Sequence, residues 1–248
     1  MSGAEGFRFA PDPLSDPVFA TTPADAAPAA VCRGVSKTYR TGTESVPALV
    51  DVTLSIPRSR VTVVVGPSGS GKSSLLRLLA CIDSPDAGEV LIAGQRVDQL
   101  RPRARRRLRQ RQVAYLFQRP GENLLPYLDA VAQVRLAAAL RGAPVTEDAA
   151  LDLLDRLGLR ARADHLPGQL SGGEQQRLAV ACGVVGDPAL VVADEPTAEL
   201  DTAAAERVLT AMEDLAAAGV GFVLSSHDPR VMAIADGFVR LDHGRLVP

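Results

Sequence analysis

Cysteine is scarce in this chain: Cys32, Cys81 and Cys182 are the only three among 248 residues. Their odd number and wide spacing argue against metal-type clusters and predict reduced, buried thiols in a cytosolic chain. Long apolar runs are missing as well. No segment approaches the roughly 20 residues needed to cross a bilayer, so any work at a membrane is expected to be peripheral. The N-terminus lacks a charged region followed by an apolar stretch, which argues against a secretory signal. Charge of one sign is not in excess either. The formal net charge is −2, so no global basic field marks nucleic acid as a specific partner. What is present is ordinary for a globular protein, with 46% apolar and 23% charged residues. The length allows one large domain or two small ones.

Residues 1–30 are rich in Pro, Ala, Asp, Ser and Thr without hydrophobic periodicity, and read as a flexible tail before a domain over 31–248. Short strands are expected up to Pro57, including "PALVDVTLSI". Val61–Val65 is a continuous β-branched run ending in glycine, as suits a strand buried on both faces of a parallel sheet. Leu75, Leu76, Leu78 and Leu79 follow with helical spacing, and "GEVLIAGQRV" returns to a hairpin-like β pattern. About 99–170 is mostly helical in character, interrupted by a strand over Val113–Phe117. Parallel-strand logic resumes at "ALVVADEP" and "GVGFVLSSHD", and "FVRLDHGRLV" closes as a hairpin. No internal repeat is visible. The fold class is therefore α/β: a core with a mostly parallel sheet, a small antiparallel β subdomain and a helical insertion.

The strongest chemical signal is "GPSGSGKSS", which lies between the Val61–Val65 strand and the leucine helix and matches G-x-x-x-x-G-K-[ST]. Gly66, Gly69 and Gly71 permit backbone conformations that turn N–H groups inward around phosphates, with Pro67, Ser68, Ser70 and Ser74 completing the loop. Lys72 places a cation at the β/γ-phosphates, and the Ser73 hydroxyl can ligate Mg²⁺.

In "LVVADEPT", Asp194 and Glu195 end a buried strand, where open α/β sheets bind ligands. One carboxylate for metal and one to polarise water is what metal-assisted phosphoryl transfer needs. His227 follows "GFVLSS" at another strand end and suits a contact near the γ-phosphate. Gln118 ends "VAYLF" and could reach Mg²⁺ or the attacking water.

A second anion grip stands about a hundred residues after the first. In "QLSGGEQQRLAVA", Ser171 is placed as an N-cap, Gly172 and Gly173 leave backbone N–H groups bare, and the helix dipole points its positive end outward. Ser171 and Glu174 also match the S-x-x-E capping box.

"GPSGSGKSS", Gln118, "LSGGEQQR", "VVADEPT", "ELD" and "SSHD" stand in the order and spacing of ABC-type ATPases, which the chain resembles from about Val31 to Val247. In that family two ATPase domains pair head to tail and sandwich each ATP. The resemblance thus implies that Ser171, Gly172 and Gly173 hold the partner's nucleotide, and that a second ATPase subunit, identical or related, is required. It further implies that Tyr39 in "SKTYRTG" stacks on adenine and that Ser73, Gln118 and Asp194 surround Mg²⁺. Glu195 resembles the general base, His227 the switch histidine, and Asp201 part of the loop that crosses the interface.

Without coiled-coil insertions or a second ATPase domain, the chain resembles the detached motor of a transporter, at the cytoplasmic face of a membrane beside integral permease subunits. The chain's end soon after its final hairpin fits the same expectation. "FQRPGENLLP" and "ACIDSPDAGEV" are similar to ATPases of the lipoprotein-releasing and macrolide-exporter type. Cys182 departs from the family's frequent Arg, "AVAQV" from a common Asn, and the link Arg119–Glu122 is longer than usual. The alternative within this subgroup is a mechanical signalling complex that regulates an extracytoplasmic enzyme. A membrane-subunit groove is expected beside the glutamine loop, lined by Leu124, Leu125 and Tyr127. The dense basic run from Arg101 to Arg111 reads as a solvated helix face, with anionic lipid as the alternative.

Overall fold

The β-branched run Val61–Val65 forms β3, and every residue of it is buried. The structure, a computed structural model, describes residues 27–247 apart from Thr43. Most of the tail expected over 1–30 lies outside these residues, but Ala29 and Ala30 at its end are buried.

Around β3 a six-stranded sheet collects β6 (Val113–Leu116), β7 (Leu190–Asp194), β8 (Gly221–Ser225), β9 (Gly237–Asp242) and β10 (Arg245–Val247) in the order β10-β9-β3-β8-β7-β6. Five of these strands run parallel, and β10 returns antiparallel as the closing hairpin. The sheet is a wall between two cores. Val61, Val63, Val65, Val191, Phe222 and Leu224 face one, while Val64, Leu190, Val192 and Val223 face the other. That alternation is the period of two that a strand buried on both faces imposes.

The second core is closed by a four-stranded antiparallel sheet with the order β2-β1-β4-β5, made of β1 (Ala30–Thr41), β2 (Glu44–Ile56), β4 (Ala87–Ile92) and β5 (Gln95–Arg96). Between the sheets lies α1 (Lys72–Leu79), whose Leu75, Leu76, Leu78 and Leu79 are all buried. The first core is covered by α3 (Ala130–Arg141), α4 (Glu147–Arg156), α5 (Gly172–Val184) and α6 (Thr202–Ala217). α2 (Pro102–Gln112) precedes β6, and α7 (Pro229–Ala233) follows β8. Side-chain caps start α3 to α7: Asp129, Thr146, Ser171, Asp201 and Asp228 each accept a backbone N–H of the first turn. The strand expected over Val113–Phe117 stops one residue early. The Phe117 N–H donates to the Asn123 Oδ1 at 2.8 Å rather than to a ladder partner.

Cys32 and Cys81 are buried and Cys182 is half-buried, and burial pushes all three thiols up to about 12. They are inert packing groups at neutral pH.

Candidate functional site: a phosphate cradle and its metal pair

Because β3, β8, β7 and β6 are parallel neighbours, their C-terminal ends share one edge of the sheet. β3 delivers Gly66–Ser74 to that edge, β7 delivers Asp194 and Glu195, β8 delivers Ser225–Asp228, and β6 delivers Gln118. The fold thereby gathers residues that are far apart in the chain, as open parallel sheets do.

The loop between β3 and α1 tolerates no side chains where it turns. A Cβ on Gly66 would stand 2.1 Å from the Leu241 carbonyl oxygen, and one on Gly71 2.3 Å from that of Ala48. Gly71 is also left-handed, with φ 104°, at the helix start. Inside the loop the Lys72 Nζ donates to the carbonyls of Gly66 and Pro67 at 2.7 and 3.0 Å. The Ser70 hydroxyl is buried without a hydrogen-bond partner. A cation resting on its own backbone and an unsatisfied hydroxyl are what a loop shaped around a phosphate leaves behind.

Ser73 and Asp194 meet directly: the Ser73 Oγ donates to the Asp194 Oδ2 at 3.0 Å. Ser225 donates to the other oxygen, Asp194 Oδ1. A hydroxyl and one carboxylate suit Mg²⁺, which takes few protein ligands and keeps phosphate oxygens and waters. Among the described residues no cluster of three or more His, Cys, Asp or Glu offers a different metal site.

Glu195 lies just beyond the strand with φ 47°, a left-handed conformation uncommon for a side-chain-bearing residue. Its N–H donates to the Ser225 carbonyl at 3.0 Å, and the Ser226 Oγ donates to its Oε2 at 2.9 Å. Ser226 in turn accepts from the Asp228 N–H at 3.1 Å, and Asp228 is clamped by Arg230. That guanidinium holds the Asp228 carboxyl below its ordinary range. Sequence reasoning used "SSHD" for its histidine and missed both serines, whose position at a strand's C-terminal end was the available signal. His227 itself is exposed and makes no hydrogen bond among the described residues.

Gln118 is exposed on a loop that Asn123 organises. The Asn123 amide donates to the carbonyls of Phe117, Arg119 and Pro120. Arg119 pairs with Glu199 at 3.5 Å, tying this loop to the segment before Asp201. Asp201 caps α6 through the Ala204 N–H at 2.8 Å.

Tyr39 is half-buried against the start of α1. Its hydroxyl donates to the Asp83 Oδ2 at 2.8 Å, and the same oxygen accepts from Arg77 at 2.8 Å. Lys37 lies 5.5 Å over the ring. One ring face is thus occupied by a cation. Burial and the Asp83 bond raise the phenol above its ordinary value.

The helix start at Ser171 is capped as its pattern predicts. The Ser171 N–H donates to the Glu174 Oε2 at 2.8 Å, and the Glu174 N–H returns to the Ser171 Oγ at 3.3 Å. The Ser171 N–H and the Ser171 hydroxyl, which donates to the same Oε2 at 2.9 Å, together with Arg162 lower the Glu174 carboxyl to about 2. Ser171 and Gly172 are exposed. Among the described residues no hydrogen bond or ion pair links Ser171–Glu174 to Gly66–Ser74.

A cavity opens beside the glutamine loop. Leu124 is buried in the core, and neither Leu125 nor Tyr127 lines the neighbouring cavity. The short 3-10 turn over Pro120–Asn123 rolls Leu124 inward. The cavity, about 510 Å³, is lined instead by Tyr115, Phe117, Ala137, Leu140 and Cys182, with Arg141 beneath. Phe117 and Leu140 are 45% and 58% exposed, a high value for large apolar groups. Arg141 donates to the carbonyls of Val113 and Gly183 at 3.2 and 2.7 Å, bracing the floor.

A family profile described as ABC transporter matches residues 49–198. The lipoprotein-releasing system ATP-binding protein LolD of Chromohalobacter salexigens is 40% identical over 87% of this chain and 91% of its own length. The macrolide export ATP-binding/permease protein MacB 1/2 of Paracoccus denitrificans is 40% identical over 89% of this chain, which spans 33% of that protein. A dimeric, post-hydrolysis structure of the ATP-binding cassette MJ0796 with ADP and Pi superposes with a TM-score of 0.78 at 31% identity, covering 88% of this chain and 97% of that one. The first two are relatives of the kind that "FQRPGENLLP" resembles.

Proposed function

This chain belongs to the ABC transporter family, and from that premise we propose that two ATPase subunits close head to tail over two ATP molecules to drive a membrane transport complex. It is an ABC-type ATPase. The observation that carries the dimeric reading is the separation of the two grips: a phosphate loop complete at one sheet edge, and an exposed serine–glycine helix tip with no phosphate loop of its own chain beside it. The dimeric state of the MJ0796 cassette supports the same reading.

In each site Lys72 leaves its backbone carbonyls for the β/γ-phosphates, and the loop N–H groups surround them. Ser73 and Asp194 would hold Mg²⁺, with Gln118 approaching from β6, and the ion would supply charge neutralisation. Glu195, oriented by Ser226, accepts the proton of the attacking water, and His227 stands at the same edge toward the γ-phosphate. Tyr39 offers its free face to adenine. The facing subunit adds Ser171, Gly172 and Gly173 to the phosphates, and Asp201 and its loop run along the shared surface. Closure is then a two-state event biased by a phosphate that both subunits touch.

No described helix is long and apolar enough to cross a membrane. The likeness to ATP-binding proteins of membrane systems supports peripheral work at the cytoplasmic face, with integral permease subunits docking in the cavity under Phe117 and Leu140. Replacing the base tests the cycle. Glu195→Gln is expected to bind ATP, turn over very slowly and accumulate as a dimer in light scattering. A Glu195→Gln protein that stays monomeric with saturating Mg-ATP refutes the proposal.

A further inference from the structure

We propose that the cleft between α2 and the β4–β5 hairpin binds a phosphate-bearing anion, supplied by the headgroup of an anionic phospholipid. The inference rests on the peripheral membrane role above and adds a lipid to it.

α2 carries six arginines in eleven residues, and Leu108 is its one buried side chain. Arg77, Arg96, Arg162 and Arg230 each meet a carboxylate within 3.0 Å. Arg107 and Arg111 have no ion pair or hydrogen bond among the described residues. They are one helical turn apart and so share a face, together with Ala104 and Leu108. This face walls a cleft of about 420 Å³. Leu100, Ala104 and Leu108 form its apolar part, and Gln95 and Gln112 place carboxamides at its rim. No acidic side chain lines it.

The chemistry is selective. Two guanidiniums on one face give paired N–H donors suited to phosphate oxygens. The carboxamides match the ester and glycerol oxygens of a lipid, and the apolar floor matches the first carbons of its chains. A free phosphate has no use for that floor. A nucleic-acid strand would want an aromatic platform, and no aromatic residue lines the cleft. Placement agrees with the chemistry. The opposite flank of α2 contributes Arg109 and Gln110 to the cavity assigned to the membrane subunit. One helix therefore borders both surfaces.

The test is co-sedimentation of the full chain with vesicles of phosphatidylcholine alone or of phosphatidylcholine with phosphatidylglycerol. Binding is expected only with phosphatidylglycerol, and Arg107→Gln/Arg111→Gln should weaken it roughly tenfold or more. Arg103→Gln/Arg106→Gln removes the same charge from the outward face and should weaken it less, while Arg107→Lys/Arg111→Lys should retain most of it. Equal loss in both glutamine pairs would overturn the cleft, leaving only a diffuse field. Binding of inorganic phosphate or RNA without vesicle binding would overturn the lipid. ATP-induced dimer formation, measured on the same wild-type preparation, separates the two readings. A normal dimer without vesicle binding sinks only the lipid cleft, and vesicle binding without a dimer sinks only the motor.

Discussion

Gly173 and Ala204 lie so close that a Cβ on Gly173 would stand 2.6 Å from the Ala204 Cβ. The two glycines of the helix tip thus have different physical reasons. Gly173 is buried where α5 crosses the start of α6, and Asp201 caps that same turn. Gly172 is exposed, with only the Leu200 side chain at 3.6 Å from an added Cβ. Gly173→Ala is expected to destabilise the fold by about 1–3 kcal/mol through overpacking. Gly172→Ala should stay within about 0.5 kcal/mol of the native protein. Urea unfolding of both variants decides it, and equal stabilities contradict the packing reason.

Acid should weaken the same helix start. Glu174 is held at about 2 against an ordinary 4.5. A depressed carboxyl stabilises the folded state above its unfolded value, and that stability disappears as pH falls through the folded one. Discounted for its partial exposure, the contribution is about 1–2 kcal/mol. The stability gap between the native protein and Glu174→Gln, from urea unfolding, should be full above about pH 5 and shrink toward about pH 2. A gap independent of pH contradicts this capping role.

Docking of a membrane subunit should depend on the cavity rather than on the leucine pair of "NLLP". Phe117→Asp is expected to weaken the reconstituted complex at least tenfold and abolish stimulation of its ATPase activity. Tyr127→Asp, outside the cavity although 71% exposed, should leave stimulation in place. The reverse outcome would return the groove to Leu125 and Tyr127.

Much of this was legible in the sequence because short-range rules settle it. The β-branched Val61–Val65 could only be a buried strand, the Gly66–Ser74 pattern carries its own backbone requirements, and Ser171 with Glu174 spells its cap. Side chains that act across the chain were not legible. Ser225 and Ser226 reach Asp194 and Glu195 only because β8 lies beside β7, and Asn123 matters only because it folds back on the Phe117 backbone. The exposure pattern of the loop after Gln118 was not legible for the same reason. Periodicity is silent in a loop, and a single 3-10 turn decides that Leu124 points inward while Phe117 stays out.

Two inactive proteins, mixed, give the most direct measurement of a site shared between subunits. Lys72→Ala removes the phosphate-loop cation. Gly172→Asp sets a negative charge at the exposed helix tip, where it suits the helix dipole yet repels phosphate. Each variant alone should hydrolyse almost no ATP. On mixing, turnover should reappear, because a Gly172→Asp phosphate loop can face an unaltered helix tip on a Lys72→Ala partner. Wild-type turnover by Gly172→Asp alone, or a mixture as inactive as its components, would show that each chain completes its own site.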